Sequence, residues 1–196
     1  LDAELERVTV ALRGPFGPGV CDLLAEFSGA LNDKLAGFYR STFADESGTQ
    51  HTIATTQLQA TDARRTFPCF DEPAFKAVFG ITLVVPEGLL AISNAPIVSE
   101  QPLGDGKKRV RFADTPRMST YLVAFVIGPL EATAPVDVDG IPVRVICPPG
   151  KGRLAGYAQE AAAFALRYFS DYYGIAYPAP KLDLVAIPDF AFGAME

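Results

Sequence analysis

Ile141-Pro-Val-Arg-Val-Ile-Cys147-Pro-Pro-Gly-Lys151 is the stretch where the chain changes character. Before it, apolar residues alternate with polar or small ones in short runs. After it, they recur every third or fourth residue. Alternation puts one face of a strand on a core, and three- and four-residue steps do the same for a helix. Pro148-Pro149-Gly150 punctuates the switch. The prediction is a mainly β, antiparallel unit over residues 1–147, followed by a helix and a strand that begin a second unit over residues 148–196.

Upstream, Val110 and Phe112 alternate with Arg109 and Arg111, and Gly80-Ile-Thr-Leu-Val-Val85 stops at Pro86. Val8, Val10 and Leu12 suggest a further strand near the start. The run from Met118 to Ile127 is too apolar for a one-sided surface strand, so it is expected to be buried on both faces. Ser47-Gly48, Gly104-Asp105-Gly106 and Asp139-Gly140 are turn signals between these runs.

Downstream, the helix is expected over 152–173. Its apolar stripe is read as Leu154, Tyr157, Ala158, Ala161, Phe164, Ala165, Tyr168, Phe169 and Tyr172, with Gly174 as the stop. After the stiff Tyr177-Pro178-Ala-Pro180, the segment Lys181-Leu-Asp-Leu-Val-Ala-Ile187 reads as a strand ended by Pro188. A helix and strand of about 45 residues cannot bury a core of their own, so the second unit is expected to be incomplete. Both ends of the chain read as cut.

Composition narrows the function classes. Of 196 residues, 49% are hydrophobic, and 17 basic against 23 acidic side chains give a net charge of -6. That balance argues against nucleic acid or an anionic membrane as partner, since both need a basic face. The longest apolar stretch, Tyr121 to Ile127, is far short of a transmembrane helix, and the start lacks the basic-then-apolar layout of a leader. Three widely spaced cysteines, Cys21, Cys69 and Cys147, form no CxxC and fit a reducing, cytoplasmic setting.

Four features could carry chemistry. The single histidine, His51, sits in a polar, loop-like stretch and cannot by itself make a His-based zinc site; no HExxH is present. Pro68-Cys-Phe-Asp-Glu-Pro73 could offer Asp71 and Glu72 as an acid/base pair, or could be a brace in which Arg64 or Arg65 pairs with a carboxylate. Neighbouring loop residues seldom aim at one target, which favours the brace. Gln57 and Gln59 would share a face if their segment is a strand, serving either a ligand's amine or carbonyl, or solvent. Gly193-Ala-Met-Glu196 could let a peptide backbone approach, with a carboxylate beyond it for an ammonium group, or could be an ordinary turn.

Taken together, Gly37-Phe-Tyr-Arg-Ser41, the segment from Thr61 to Ala77, Ile92-Ser-Asn94, Thr115 to Phe125, Tyr177-Pro-Ala-Pro-Lys181 and Ile187 to Glu196 resemble the zinc aminopeptidases of the aminopeptidase N and puromycin-sensitive aminopeptidase type. The resemblance covers nearly the whole chain from Phe27 onward. It implies a saddle-like β domain leading into a thermolysin-like catalytic domain. It also implies a fragment that ends within the GAMEN motif, before the HExxH zinc motif of the family. Zinc is thus the implied cofactor of the longer enzyme, with none bound by this portion, which alone would be inactive. In the full enzyme the metal would polarise the scissile carbonyl and activate water, with the HExxH glutamate as general base.

The resemblance carries over onto few residues. Glu196 matches the glutamate that binds a substrate's free α-amine. Gly193, Ala194 and Met195 match the segment that runs along the peptide backbone. Gln57 matches a glutamine lining the first side-chain pocket. Gln59 stands where many relatives have a second glutamate near the amine. The implied partners are peptides with a free N-terminus and the remainder of the catalytic domain. The competing reading is a non-catalytic β scaffold or interaction module on the same fold; the intact Gly193-Ala-Met-Glu196 favours the enzyme.

Overall fold

The turn signals become hairpins in the computed structural model, which describes residues 2, 4–14 and 17–193. Strands β1 (Gly37–Ala44) and β2 (Gln50–Gln57) pair antiparallel across the Ser47-Gly48 turn. The Asp45 carboxylate closes that turn by accepting the amides of Ser47 at 2.8 Å and Thr49 at 3.0 Å. Next come β3 (Thr82–Pro86), β4 (Leu90–Ser93), β5 (Ile97–Pro102), β6 (Lys107–Phe112), β7 (Phe125–Gly128), β8 (Glu131–Ala132), β9 (Val136–Val138) and β10 (Ile141–Cys147). Helix α1 (Gly156–Tyr173) and strand β11 (Leu182–Val185) follow. Asp139 and Gly140, at φ 53° and 86°, make the two-residue turn that pairs β9 with β10; positive φ at both positions is what a tight hairpin matching strand twist needs.

Three sheets result, ordered β1-β2-β7-β4, β3-β6-β5 and β11-β10-β8, with β9 also on β10. The fold is mainly β, as expected, and the named strands pair antiparallel except for β10 with β11. That pair is parallel and is joined through α1, which fits a βαβ unit. Among the described residues no helix is long and apolar enough to cross a membrane.

One apolar cluster ties two of the sheets together: Ile53 of β2, Ile92 of β4 and Val126 of β7 pack with Leu130 and with Ile146 of β10. Gly128 sits against it. A Cβ there would come within 3.0 Å of the Ile53 side chain and 3.4 Å of its Cα. Gly128→Ala is therefore expected to cost about 1–3 kcal/mol through overpacking. Urea unfolding checks this; a loss under about 0.5 kcal/mol would show that Ile53 can step aside.

Several expectations are corrected. Val8, Val10 and Leu12 are exposed and form no strand, because their backbone finds no partner strand among the described residues. The run from Met118 to Ile127 is not one strand. Thr120–Leu122 is a 3-10 turn, and only Phe125–Gly128 is extended in a sheet. The Asn94 side chain explains the break: its Nδ2 donates to Leu122 O at 2.7 Å and its Oδ1 accepts from Ala124 N at 2.8 Å, so these groups are taken before a ladder can reach them.

The helix starts later than expected, at Gly156 after a 3-10 turn over Gly152–Leu154, and ends at Gly174 in the left-handed region, φ 62°. Its inward face is different, however. Leu166 packs on Val138 and Val143, and Gln159 Nε2 donates to the carbonyls of Ala134 and Val143 at 2.8 Å each. The aromatic members of the expected stripe point outward, with Tyr157 84% and Phe164 68% exposed. Phe164, Tyr168 and Tyr172 instead stack on one another along the helix, with centroids 5.7 and 5.9 Å apart.

Candidate functional site

Ile187 and Asp189 bring the last segment of the chain to the first sheet. Pairing with β10 continues one residue past β11, where Ala186 N donates to Ile146 O at 2.8 Å. Ile187 then packs on the cluster around Ile53. Asp189 closes onto β1 through four contacts. Tyr39 Oη donates to Asp189 O at 2.8 Å, and Ser41 Oγ donates to Asp189 Oδ2 at 3.1 Å. Thr42 N donates to the same Oδ2 at 3.3 Å, while Asp189 N donates back to Ser41 Oγ at 3.1 Å. Tyr39 and Ser41 are inward-facing β1 residues two apart, both buried. Burial, reinforced by the Asp189 charge, pushes the Tyr39 hydroxyl up to about 12, so it stays a proton donor at working pH.

The same sheet face carries Gln57. Its cross-strand partner is Gly37, and the adjacent pair on that face is Tyr39 with Thr55. Gln57 is 2% exposed, so the solvent-facing alternative does not hold for it. Gln59 lies beyond the end of β2, half-buried, and does not share a strand face with Gln57. Leu58 between them is buried and takes the chain into the turn that holds Ala63. Gly193, four residues past Asp189, is exposed, and a Cβ there would meet no described atom within 4 Å. Ala194, Met195 and Glu196 lie outside the described residues. The structure thus brings Asp189 to the sheet face that bears Gln57, and Gly193, four residues on, is exposed.

The other candidates are structural. Asp71 accepts Arg64 Nε at 2.9 Å, Arg64 N at 3.1 Å and the Thr120 hydroxyl at 2.8 Å, while its carbonyl accepts Arg64 Nη2 at 3.0 Å. Burial tends to raise its carboxyl, but these donors outweigh burial and hold it below the usual value. Glu72 is exposed while Asp71 is held by Arg64 and Thr120, so the two acids form a brace and a surface residue rather than a pair. His51 is not in a loop: it lies on β2, stacked on Phe43 and bonded through Nε2 to Asp45 at 2.8 Å.

A second buried ionic cluster joins β10 to β11. Asp183 accepts Arg144 through both oxygens, at 2.8 and 2.9 Å, and also binds Lys181. A groove of about 470 Å³ between α1 and β11, lined by Leu166, Phe169, Tyr173 and Tyr177, is mostly apolar and has no acidic side chain among its described lining residues. Among the described residues no three His, Cys, Asp or Glu side chains are grouped to hold a metal. The described residues do not fit a zinc ion.

Sequence reasoning missed Tyr39, Ser41 and Asp189 as a unit. The available signal was alternation along β1, which puts a phenol and a hydroxyl on one inward face where apolar residues would be expected.

Comparison with known proteins adds the family. Residues 1–122 match the Peptidase M1 N-terminal domain and residues 157–196 match the Peptidase family M1 domain. The chain is 44% identical over all 196 residues to a puromycin-sensitive aminopeptidase of Caenorhabditis elegans, covering 21% of that protein. It is 49% identical over 182 residues, 93% of its length, to Aminopeptidase M1 of Arabidopsis thaliana, covering 20%. An alanine/arginine aminopeptidase of Saccharomyces cerevisiae is 48% identical over 171 residues, 87% of the chain and 20% of the relative. The chain therefore spans about a fifth of the length of the curated relatives it matches.

Proposed function

The chain belongs to the peptidase M1 family, and from that premise we propose that it is part of a zinc aminopeptidase that removes N-terminal residues from peptides. One observation carries the reading: Asp189, at the start of the segment that runs on to Gly193, is bonded to Tyr39 and Ser41 on the sheet face that also bears Gln57. The relatives' names, aminopeptidases all, support it.

In this reading Glu196 holds the substrate's ammonium group by charge, and Gly193, Ala194 and Met195 run beside the peptide backbone. Gln57 lines the pocket for the first side chain, and Gln59 stands near the amine without adding charge. Residues 1–147 form a saddle-like β domain and residues 148–196 open the catalytic domain, the two being stitched together by the β10–β11 pairing. Zinc is held by the rest of the longer enzyme, which works in the cytoplasm on peptides with a free N-terminus.

The test uses the full-length protein and an unblocked aminoacyl anilide. Turnover abolished by a chelator and restored by zinc is expected, while the isolated 196-residue chain should show none. A full-length protein that binds zinc yet leaves such substrates intact, or zinc-dependent turnover by the isolated chain, would overturn the reading.

A further inference from the structure

Side chains alternate along a strand, so Pro142, Arg144 and Ile146 share one face of β10 and Val143 and Val145 share the other. Val143 packs with Leu166 of α1, whereas Ile146 packs with Ile53 and Ile92 of the first sheet. Arg144 therefore lies on the side of β10 turned toward that sheet. A pocket of about 250 Å³ sits there, lined by Ile92, Ile97, Phe112 and Pro142 together with Arg144 and Lys181. These walls come from β4, β5, β6 and β10, which places the pocket where the three sheets meet. None of its described lining residues is acidic.

Charge is out of balance at this pocket. Asp183 accepts Nε and Nη2 of Arg144 at 2.8 and 2.9 Å and also accepts Nζ of Lys181. Two cations thus share one carboxylate, which leaves a single net positive charge in a chain that is acidic as a whole. Arg144 Nη1 and two of the three N–H groups of Lys181 have no partner among the described residues. No buried side-chain polar atom among those residues is left unsatisfied, so Nη1 opens onto accessible space rather than being sealed in. The Lys181 side chain is only 9% exposed, so water solvates its charge poorly. A charge in that position is stabilised by a further counter-ion that also accepts hydrogen bonds.

We propose that this pocket binds a small monocarboxylate with a short apolar body. Its carboxylate accepts from Arg144 Nη1 and Lys181 Nζ, and its body lies on Ile92, Ile97 and Phe112. One carboxylate can accept from two donors at once, and its single charge brings the cluster to two positive and two negative groups. The apolar walls select against phosphate or sulfate, whose additional oxygens would be left without donors. At about 30 Å³ per water-sized group, the volume holds about eight non-hydrogen atoms.

The experiment titrates the full-length protein with isocaproate, a branched acid of that size, by calorimetry. Isohexanol and isohexylamine keep the body and replace the anion. A saturating aminoacyl hydroxamate is present throughout, so that carboxylate binding at a zinc centre does not enter. Isocaproate should bind with a Kd of about 0.1–1 mM, as suits so small a ligand, and the alcohol and the amine at least about ten-fold more weakly. Lys181→Met keeps the bidentate Arg144–Asp183 pair and removes the surplus charge. It should weaken isocaproate about ten-fold or more and leave the alcohol unchanged. Ile97→Asp puts a negative charge at a wall position that is 50% exposed, where folding is not at stake, and should weaken isocaproate likewise. No saturable isocaproate binding up to about 10 mM, equally tight binding of the alcohol, or wild-type affinity in both variants would overturn the proposal.

Discussion

Glu196→Gln in the full-length enzyme is expected to lower kcat/KM on an unblocked aminoacyl substrate by about ten- to a hundred-fold, with Tm nearly unchanged. A carboxylate facing an ammonium group makes a charge-assisted hydrogen bond worth roughly 1.5–3 kcal/mol, which corresponds to that range. On the proposed assignment the upper end is expected, because position 59 is a neutral glutamine and Glu196 would supply most of the negative charge at the amine. The companion Gln59→Glu should tighten binding of amine-bearing ligands by adding negative potential. Steady-state kinetics with thermal melts of each variant check both. Near-wild-type kcat/KM in Glu196→Gln would remove the amine-anchor role and leave family membership without a site.

The largest stability effect is expected at Asp183. Its side chain is 6% exposed and lies between Arg144 and Lys181, which are 35% and 9% exposed. Asp183→Ala would leave two cations side by side with no counter-charge, on the strands that join β10 to β11. Breaking a buried ion pair from one side costs about 3–5 kcal/mol, and the partial exposure of Arg144 places the expectation at the lower end.

The pH dependence follows from the same geometry. Burial alone would raise the Asp183 carboxyl, but the hydrogen bonds from Arg144 and Lys181 outweigh it and hold the group below its ordinary value of 3.8. A depressed folded-state value contributes stability that is fully present above the unfolded value. It is lost as pH falls from 3.8 through the lower folded one. Urea unfolding of the chain at neutral pH and between about pH 2 and 4 tests both points, with Asp183→Asn expected to flatten the acid limb. A cost under about 1 kcal/mol for Asp183→Ala would show that water replaces the carboxylate easily.

Local order was legible in the amino-acid sequence because local rules produce it. Asp139-Gly140 can take positive φ, so it turns the β9–β10 hairpin. Gly174 does the same at the end of α1. Alternation at Arg109 to Phe112 and at Ile141 to Ile146 marked β6 and β10, and the three- and four-residue steps after Gly152 marked the helix. Those features need only a residue and its near neighbours, and they sufficed for the fold class.

Which face is buried, and what meets it, was decided by the tertiary structure. A helical period says that some stripe is apolar; it does not say which stripe finds the sheet. In α1 the smaller face with Gln159 and Leu166 was seated, because the Gln159 amide satisfies two carbonyls that the aromatic rings of Phe164 and Tyr168 could not. Likewise nothing local to Met118 to Ile127 announces that Asn94, about thirty residues away, will take the backbone groups of Leu122 and Ala124. The Asp189 contacts are the extreme case, since their partners on β1 lie 147, 148 and 150 residues away. Propensity and periodicity act over a few residues, whereas such contacts exist only once two distant backbones have been brought together by the burial of Ile53, Ile146 and Ile187 in one cluster.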